Sequence, residues 1–369
     1  MSRGPASSTP PLRPRPDGTT FSRLMTLKPW TFLAVALVAL PAKSAQASET
    51  VAHPFVGVSL TSRVETTPRP LRMHVVDIDL AAQGVRFRLT PQAGPLHTRK
   101  QTTLDYLRQQ QAQIAINAHF FEPWPAPSPD PGTASLVGIA ASDGKVYAPF
   151  LDKPPKQYAI RPDAPGLNID AGNRASIVHR NAADPNGYAA AEPVTLYNTL
   201  AGNEQIVTGG RVTAADSNWN HQRAPRTAIG LTNNQHLILF VVDGRQPGIS
   251  EGMSVPEVAD LLVRDYGVVD AIDLDGGGST TLAIADPTPR VVNVPVGVKD
   301  VPGTQRAVGS NLAVFALLWE PNAIAPSAPA PATAPSNRST EPWGLVAVGA
   351  CLVAGVALVV WWRRSRRGR

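Results

Sequence analysis

Two aspartates interrupt an apolar stretch late in the chain and are followed by three consecutive glycines. The stretch is DAIDLDGGGSTTLAI, residues 270–284. Side chains alternate between the two faces of a strand, so Asp273 and Asp275 point to the same face. A buried carboxylate is costly unless it is paired, hydrogen-bonded or bound to a metal. The segment is therefore either a strand that ends early in a tight glycine turn, or a strand whose end carries a chemical site.

The elements before this stretch predict where its aspartates lie. RTAIGL and HLILFVV are typical strands, and TNNQ between them is typical of a hairpin turn. Ser254 and Glu257 form the capping box of a predicted helix that Gly267 ends. A strand, a helix and a further strand in sequence predict a βαβ crossover and a mixed sheet. Asp243 and Asp275 would then both lie at the C-terminal ends of parallel strands, where open α/β sheets bind ligands.

The remaining globular region adds strands and one more helix. Residues 71–80 and 85–90 are predicted strands, residues 102–113 a helix and residues 114–121 an apolar strand. We therefore predict an α+β fold. It is a single large domain over residues 51–320, with a mixed β-sheet flanked by helices, and a C-terminal transmembrane helix follows it.

The charge distribution argues against a nucleic-acid-binding surface. The formal net charge is +6, but the net positive charge lies in residues 1–28 and 363–369, and the part between them is slightly acidic. Basic ends of this kind report membrane topology rather than a DNA-binding face. The predicted partners therefore include a membrane but no nucleic acid.

Both ends of the chain predict export and membrane attachment. Residues 1–47 are typical of a signal peptide cleaved after Ala47, with Met25 as an alternative start and an uncleaved anchor as the alternative outcome. The C-terminal part divides into a Pro/Ala/Ser-rich stalk, a transmembrane helix and a basic cytoplasmic tail, at residues 321–342, 343–362 and 363–369. The predicted domain is extracytoplasmic and anchored to the cell membrane, or sorted to the cell surface. The single cysteine, Cys351, lies in the predicted helix, so the exported part has no disulfide.

Four longer segments resemble, in order and spacing, the phosphodiester glycosidase domain family. They are AINAHFF, PRTAIGL, VVDGRQPGISEGMSVPEVADLL and DAIDLDGGGSTT, and the resemblance covers residues 70–318. Two positions depart from the family's pattern: His119 replaces a small residue, and Asp273 stands where asparagine is frequent. The resemblance implies cleavage of a sugar-1-phosphate diester with release of a phosphate monoester.

This implied reaction needs an anion site and a carboxylate beside the sugar. The leaving phosphate monoester is stable as an anion, so a strong general acid matters less than in ordinary glycosides. The resemblance implies that the catalytic residues are Asp275, Asp273, Asn117 and His119. It implies that the substrate and its phosphate are bound by Arg226, Thr227, Asp243, Gly244, Arg245, Gly276, Gly277, Gly278, Ser279 and Thr280. The arginines would supply paired donors and the glycine amides an anion-binding nest. Taken singly, these residues are also typical of turns and surface ion pairs.

The sequence requires no cofactor. Its seven histidines show no zinc-ligand spacing. Oxygen ligands such as Asp243, Asp273 and Asp275 could hold Ca²⁺ or Mg²⁺, and the resemblance implies Ca²⁺ without assigning its ligands.

The sequence thus predicts an exported, membrane-anchored hydrolase that acts on a phosphorylated glycan or glycolipid, such as a surface polysaccharide. Two other functions stay open. One is a non-catalytic, tethered binding module for phosphorylated glycans, which the departures at His119 and Asp273 favour. The other is an assembly factor for exopolysaccharide export, which would have a protein partner.

Overall fold

The computed structural model describes residues 47–318, apart from 95, 124–131, 152–160 and 162–163. Of these described residues, 42% lie in strands and 11% in helices. The prediction of an α+β fold with a mixed sheet flanked by helices is therefore wrong, and the domain is mostly β-sheet. The physical reason is that many short apolar segments, which periodicity leaves ambiguous, pair as strands.

The strands, in chain order, are β1 (Ser48–Phe55), β2 (Val58–Glu65), β3 (Leu71–Asp79), β4 (Arg86–Leu89), β5 (Thr98–Arg99), β6 (Ile114–Asn117), β7 (Phe121–Glu122), β8 (Thr133–Leu136), β9 (Ala140–Ser142), β10 (Lys145–Ala148), β11 (Gly166–Ile169), β12 (Ala175–Val178), β13 (Asn198–Ala201), β14 (Gln205–Thr208), β15 (Arg211–Val212), β16 (Arg226–Thr232), β17 (His236–Val242), β18 (Val268–Asp273), β19 (Leu282–Ile284), β20 (Arg290–Val291) and β21 (Asn311–Phe315). The helices are α1 (Thr103–Gln110), α2 (Asn218–His221) and α3 (Val255–Tyr266), and a 3₁₀ turn spans Gly277–Ser279.

The strands form four sheets. The largest has eight strands in the order β1-β2-β3-β17-β16-β18-β14-β15. Two sheets have five strands, in the orders β20-β19-β6-β21-β4 and β10-β9-β13-β11-β12, and a small sheet has the order β5-β8-β7. Every ladder between these described strands is antiparallel.

The predicted βαβ crossover exists, but its two strands are not neighbours. Strand β16 lies between β17 and β18 and is antiparallel to both, so β17 and β18 run in the same direction without pairing. The sheet therefore contains no parallel ladder, yet both strands end at the same edge. Asp243 directly follows β17, and Asp275 lies just beyond β18.

Local predictions for this region are confirmed. The β16–β17 hairpin forms around the predicted turn. Ser254 and Glu257 form the capping box of α3, and Gly267 ends the helix with φ 62°, a backbone conformation that glycine adopts at little cost. Residues 71–80 and 85–90 also contain the expected strands, β3 and β4, but these lie in different sheets.

The core lies on both faces of the eight-stranded sheet. One face, which includes Val76, Leu239 and Ile272, packs in a cluster with Ile116 and Leu312 of the β6–β21 pair. On the other face, the alternate residues Val75, Ile238 and Ala271 of the same strands pack with Val258 and Leu262 of α3. The period of two therefore assigns Asp273 to the α3 side of the sheet.

The segments at the ends of the chain lie outside the described residues. They include the predicted stalk, transmembrane helix and basic tail, and residues 1–46 of the predicted signal peptide. Among the helices of the described part, we find none with the length and apolarity that a membrane crossing needs.

Candidate active site

A cavity of about 220 Å³ opens where β16 begins and where the chain leaves β18. Its wall carries one carboxylate, three arginines and an aromatic group of side chains. The residues that line it are Phe120, Phe121, Trp219, Gln222, Ala224, Arg226, Arg245, Asp275, Gly276, Gly277, Gly278 and Arg306. Six predicted site residues therefore share one cavity: Arg226, Arg245, Asp275 and the three glycines.

The three glycines are required by close packing as well as by the backbone. Gly277 has φ 59°, in the left-handed region that favours glycine. A side chain on Gly278 would place its Cβ 1.6 Å from the carbonyl oxygen of Gly297. The Gly277 amide donates to the carbonyl oxygen of Pro225 at 2.8 Å. The Gly277 amide, one of the three in the predicted anion-binding nest, therefore already donates its hydrogen bond within the protein.

Two predicted arginines reach the cavity from different environments. Arg226 is buried, and its Nε and Nη2 donate to the backbone carbonyls of Met253, Trp219 and Gln222. Arg245 is more exposed, and its Nη1 donates to Asp300 Oδ1 at 2.9 Å. A Cβ built on Gly277 would lie 3.3 Å from Nη2 of Arg245, so this guanidinium lies directly over the glycine turn.

Arg306 is a third cavity arginine that the sequence analysis missed. It is buried, its Nη1 donates to Ser279 Oγ at 3.0 Å, and its Nη2 donates to the carbonyl of Gly297 at 3.0 Å. It comes from a segment, GTQRAVGS, that has neither strand periodicity nor a glycine motif. Only the folded chain brings this segment against the glycine turn.

Asp275 is the carboxylate of the cavity. Burial raises the pKa of its carboxyl group to about 6, and the charge of Arg306, a hydrogen bond from Ser279 and the charge of Arg245 act in the opposite direction. A carboxylate with this pKa is ionised at neutral pH and lies beside cations that favour its charged form. It is therefore suited to act as a base, as a nucleophile or as a stabiliser of positive charge.

Asp273 does not line the cavity. Its side chain is 1% exposed, and neither carboxylate oxygen has a hydrogen-bond partner among the described residues. Burial raises its pKa to about 7, the charge of Arg226 lowers it, and the carboxylates of Glu204 and Asp275 raise it further.

Asn117 and Thr227 lie behind the cavity and join its elements. Asn117 Nδ2 donates to the backbone carbonyl of Asp275 at 2.6 Å. Its Oδ1 accepts from the amide of Thr281 at 3.0 Å and from the hydroxyl of Thr227 at 3.1 Å. The Thr227 hydroxyl also lies 3.2 Å from that of Thr280. These buried polar side chains fix the path of the chain beside Asp275.

His119 is fully buried and away from the cavity wall. Its Nε2 accepts from the amide of Ala201 at 2.9 Å, and its Nδ1 lies 2.7 Å from the hydroxyl of Ser310. Burial lowers its pKa to about 4, so the ring is neutral at physiological pH. The structure thus places it between segments of the core, outside the residues that line the cavity.

Asp243 and Gly244 also lie outside the cavity wall. The Asp243 carboxylate accepts from Asn293 Nδ2 at 2.9 Å and from the amide of Val294 at 3.0 Å, and burial raises its pKa to about 6. A Cβ on Gly244 would meet the backbone of Pro225 at 2.5 Å. Both residues therefore hold neighbouring loops together.

Asp243, Asp273 and Asp275 are not gathered into a cluster of three acidic ligands in the described part of the chain. Asp243 already uses its carboxylate to accept hydrogen bonds. No group of three or more His, Cys, Asp or Glu side chains in the described part of the chain is arranged to hold a metal ion.

The aromatic part of the wall was missed as a functional feature. Phe120 and Phe121 belong to the quoted segment AINAHFF, but apolar side chains after a strand are equally typical of a core. Trp219 is 37% exposed and follows Ser217, the N-cap of the short helix α2. The cavity wall therefore combines aromatic side chains with arginines.

Residues 110–315 match the phosphodiester glycosidase family. This match covers more than half of the chain, which therefore belongs to the family, and the resemblance found in the sequence is confirmed. At the level of the family, the match supports a glycosidase that hydrolyses phosphodiesters.

Individual relatives share only a small part of their sequence with this chain. The mouse N-acetylglucosamine-1-phosphodiester alpha-N-acetylglucosaminidase is 27% identical over 199 residues, which are 52% of this chain and 35% of the mouse protein. The chain thus aligns with about a third of that relative's length.

Two solved structures share the fold, each with 18% identity and a TM-score of 0.51. One is a Burkholderia pseudomallei protein described as exported, with coverage of 69% of this chain and 76% of that chain. The other is the catalytic domain of zebrafish N-acetylglucosamine-1-phosphodiester alpha-N-acetylglucosaminidase, auto-inhibited by its pro-peptide, with coverage of 73% and 88%.

Proposed function

We propose that the protein hydrolyses a glycosyl phosphodiester, splitting the bond between the anomeric carbon of a sugar and a phosphate oxygen. The observation that carries this proposal is that Asp275 shares one cavity with Arg226, Arg245 and Arg306. Such a substrate carries an anion beside a carbon that becomes positively charged in the transition state. It therefore needs cations and a carboxylate within one small space.

The arginines suit the phosphate. Guanidinium groups bind phosphate oxygens through paired donors. The hydrogen bonds that Arg226 makes within the described structure use Nε and Nη2, so its Nη1 is available to a ligand. These cations also stabilise the phosphate monoester as it leaves, which reduces the need for a general acid.

Asp275 suits the sugar carbon. Its carboxylate would stabilise the positive charge at this carbon, attack it, or activate a water molecule that does so. Trp219, Phe120 and Phe121 would contact the apolar face of the sugar ring. Neither of the two departures from the family's pattern, His119 and Asp273, lies in the cavity wall, so neither removes a group from this arrangement.

The direct test is hydrolysis of a methyl diester of N-acetylglucosamine-1-phosphate and of related diesters, with free sugar and phosphate monoester both assayed. We expect release of both products, and we expect Asp275→Asn to lower kcat by about 10²- to 10⁴-fold, as for the loss of a catalytic carboxylate. Asp270→Asn is the matched control, because Asp270 is a partly buried aspartate of the same strand that bonds Gln205 outside the cavity. Unchanged hydrolysis by folded Asp275→Asn would remove Asp275 from this role.

The same assay separates hydrolysis from binding alone. Saturable, stoichiometric binding of the diesters by a folded protein, without turnover over days, would instead indicate a binding module for phosphorylated glycans. Co-purification of a partner after crosslinking would favour an assembly factor.

We further propose that the natural substrate is a phosphorylated surface polysaccharide or glycolipid, met outside the cytoplasm. The support is the signal-like segment that ends at Ala47, directly before β1 begins at Ser48. Cell fractionation, with N-terminal sequencing of the protein, tests this proposal. An intact N-terminus on a cytoplasmic protein would contradict it.

A further inference from the structure

Asp273 is an anomaly among the buried polar groups of the described structure. Its carboxylate is almost completely buried, and both oxygens are without hydrogen-bond partners there. Buried carboxylates are normally paired or hydrogen-bonded, because an isolated ionised group is costly in the interior. The hydrogen bonds that normally offset the cost of burying a carboxylate are therefore missing at Asp273 in the described structure.

The register of the sheet identifies the charged groups that face Asp273. Asp273 lies opposite Ala228 of β16, and Arg226 is two residues earlier on β16, so both side chains emerge on the same face. On the other side, the Asp273 amide donates to the carbonyl of Glu204. Asp275 follows two residues later, just beyond the end of β18, and its charge also acts on Asp273. One cation and two carboxylates thus surround this group.

Two of these charged neighbours, Glu204 and Arg226, have hydrogen-bond partners other than Asp273. The Glu204 carboxylate accepts from Asn220 Nδ2 and from the amide of Ala215. Arg226 donates to backbone carbonyls only, and carbonyls do not neutralise its charge. The carboxylate of Asp273 opposes the lowering of the Arg226 pKa that burial causes, and the charge of Arg245 adds to that lowering. The two groups therefore interact through space, without a hydrogen bond.

We propose that Asp273 is a positioning residue that sets how strongly Arg226 holds the phosphate, because it balances the Arg226 charge only when it is ionised. This inference rests on the proposed function. Protonated Asp273 leaves the full charge of Arg226 to the substrate. Ionised Asp273 pairs electrostatically with Arg226 and repels the anion in the cavity.

The dependence on pH follows from the two carboxylates. Asp273 ionises near pH 7 and Asp275 near pH 6. Above pH 7 the protein should bind the diester more weakly, whereas below pH 6 protonation of Asp275 should lower kcat. A diester keeps one negative charge throughout this range, so its own ionisation does not produce the alkaline limb. By linkage, the bound anion favours the protonated form of Asp273, so binding near pH 7 should take up a proton.

Asp273→Asn is the sharpest variant, because asparagine has nearly the same shape and stays neutral. In the wild type we expect KM for the diester to rise about tenfold between pH 6 and pH 9, the size of a unit-charge interaction across roughly 10 Å of protein. In Asp273→Asn, KM should stay low and should not change with pH over this range. Asp270→Asn should keep the wild-type profile. A merely structural role would change stability or kcat without removing this limb.

Calorimetry with the same diester gives a readout that does not depend on turnover. Binding by the wild-type protein near pH 7, measured in buffers of different ionisation enthalpy, should show proton uptake. Binding by Asp273→Asn should show much less, because only Asp275 is then left to take up a proton. A wild-type KM limb that persists in Asp273→Asn, or wild-type binding without proton uptake, would overturn the proposal. A protein that binds with proton uptake but does not hydrolyse the diester would support the inference while contradicting the proposed function.

Discussion

Replacing Asp273 by asparagine should change how the stability of the protein depends on pH. The pKa of this carboxyl group is raised from 3.8 to about 7 in the folded protein, chiefly by burial. Between these two values the unfolded chain loses the proton while the folded chain keeps it, so the free energy of unfolding falls as pH rises. The shift of about three units corresponds to about 4 kcal/mol, as an order of magnitude. This stability is present below pH 4 and is lost by about pH 7.

The neutral variant lacks this loss. Its free energy of unfolding, relative to that of the wild type, should therefore increase by about 4 kcal/mol between pH 4 and pH 8. Urea denaturation followed by circular dichroism at a series of pH values measures this difference. The contributions of other titrating groups are nearly the same in both proteins, so they largely cancel in the difference. Asp270→Asn should not reproduce the gain. A difference that stays within about 1 kcal/mol over this range would show that Asp273 is solvated or paired, and would refute the reasoning.

Two further substitutions probe the cavity wall. Gly278→Ala places a methyl carbon 1.6 Å from a backbone carbonyl oxygen and 2.5 Å from Arg306 Nη2, so it should destabilise the fold by about 3 kcal/mol or more. Gly172→Ala, whose nearest neighbour is a side-chain oxygen at 3.3 Å, is the control, and equal melting temperatures for the two variants would contradict the packing argument. Arg306→Gln removes the cation that most favours ionised Asp275, so the acidic limb of kcat should move to higher pH by roughly one unit. A limb at its wild-type position would show that this charge does not act on the carboxylate.

The local elements could be predicted from the sequence because their signals are local. Ser254, Glu257 and Gly267 define both ends of α3 within a few residues, and the hairpin turn between β16 and β17 is equally short-range. The pairing of strands could not be predicted in this way. Periodicity does not show which strand lies beside which, so the insertion of β16 between β17 and β18 changed an expected mixed sheet into an antiparallel one.

The residues of the candidate site likewise fall into those that local motifs could predict and those that they could not. Arg226, Arg245, Asp275 and the glycine turn lie in contiguous motifs, and they meet in one cavity. Arg306 lies in a segment without such a pattern, and only the tertiary structure carries it there. For Asn117 and His119, the residue types were compatible with a site or with buried hydrogen bonding, and the structure places both behind the wall.

The hydrogen bonds of Asn117 have a consequence for how the cavity forms during folding. This one side chain bonds partners that are 110, 158 and 164 residues away along the chain. Contacts of such long range require large loops to close before they stabilise anything, and chains rich in them fold slowly. No fragment that lacks either half of the domain can make these three bonds. The cavity therefore cannot form within one short segment of the chain. A newly made chain acquires it only when the part that contains β6 has come together with the part that contains β16 and β18.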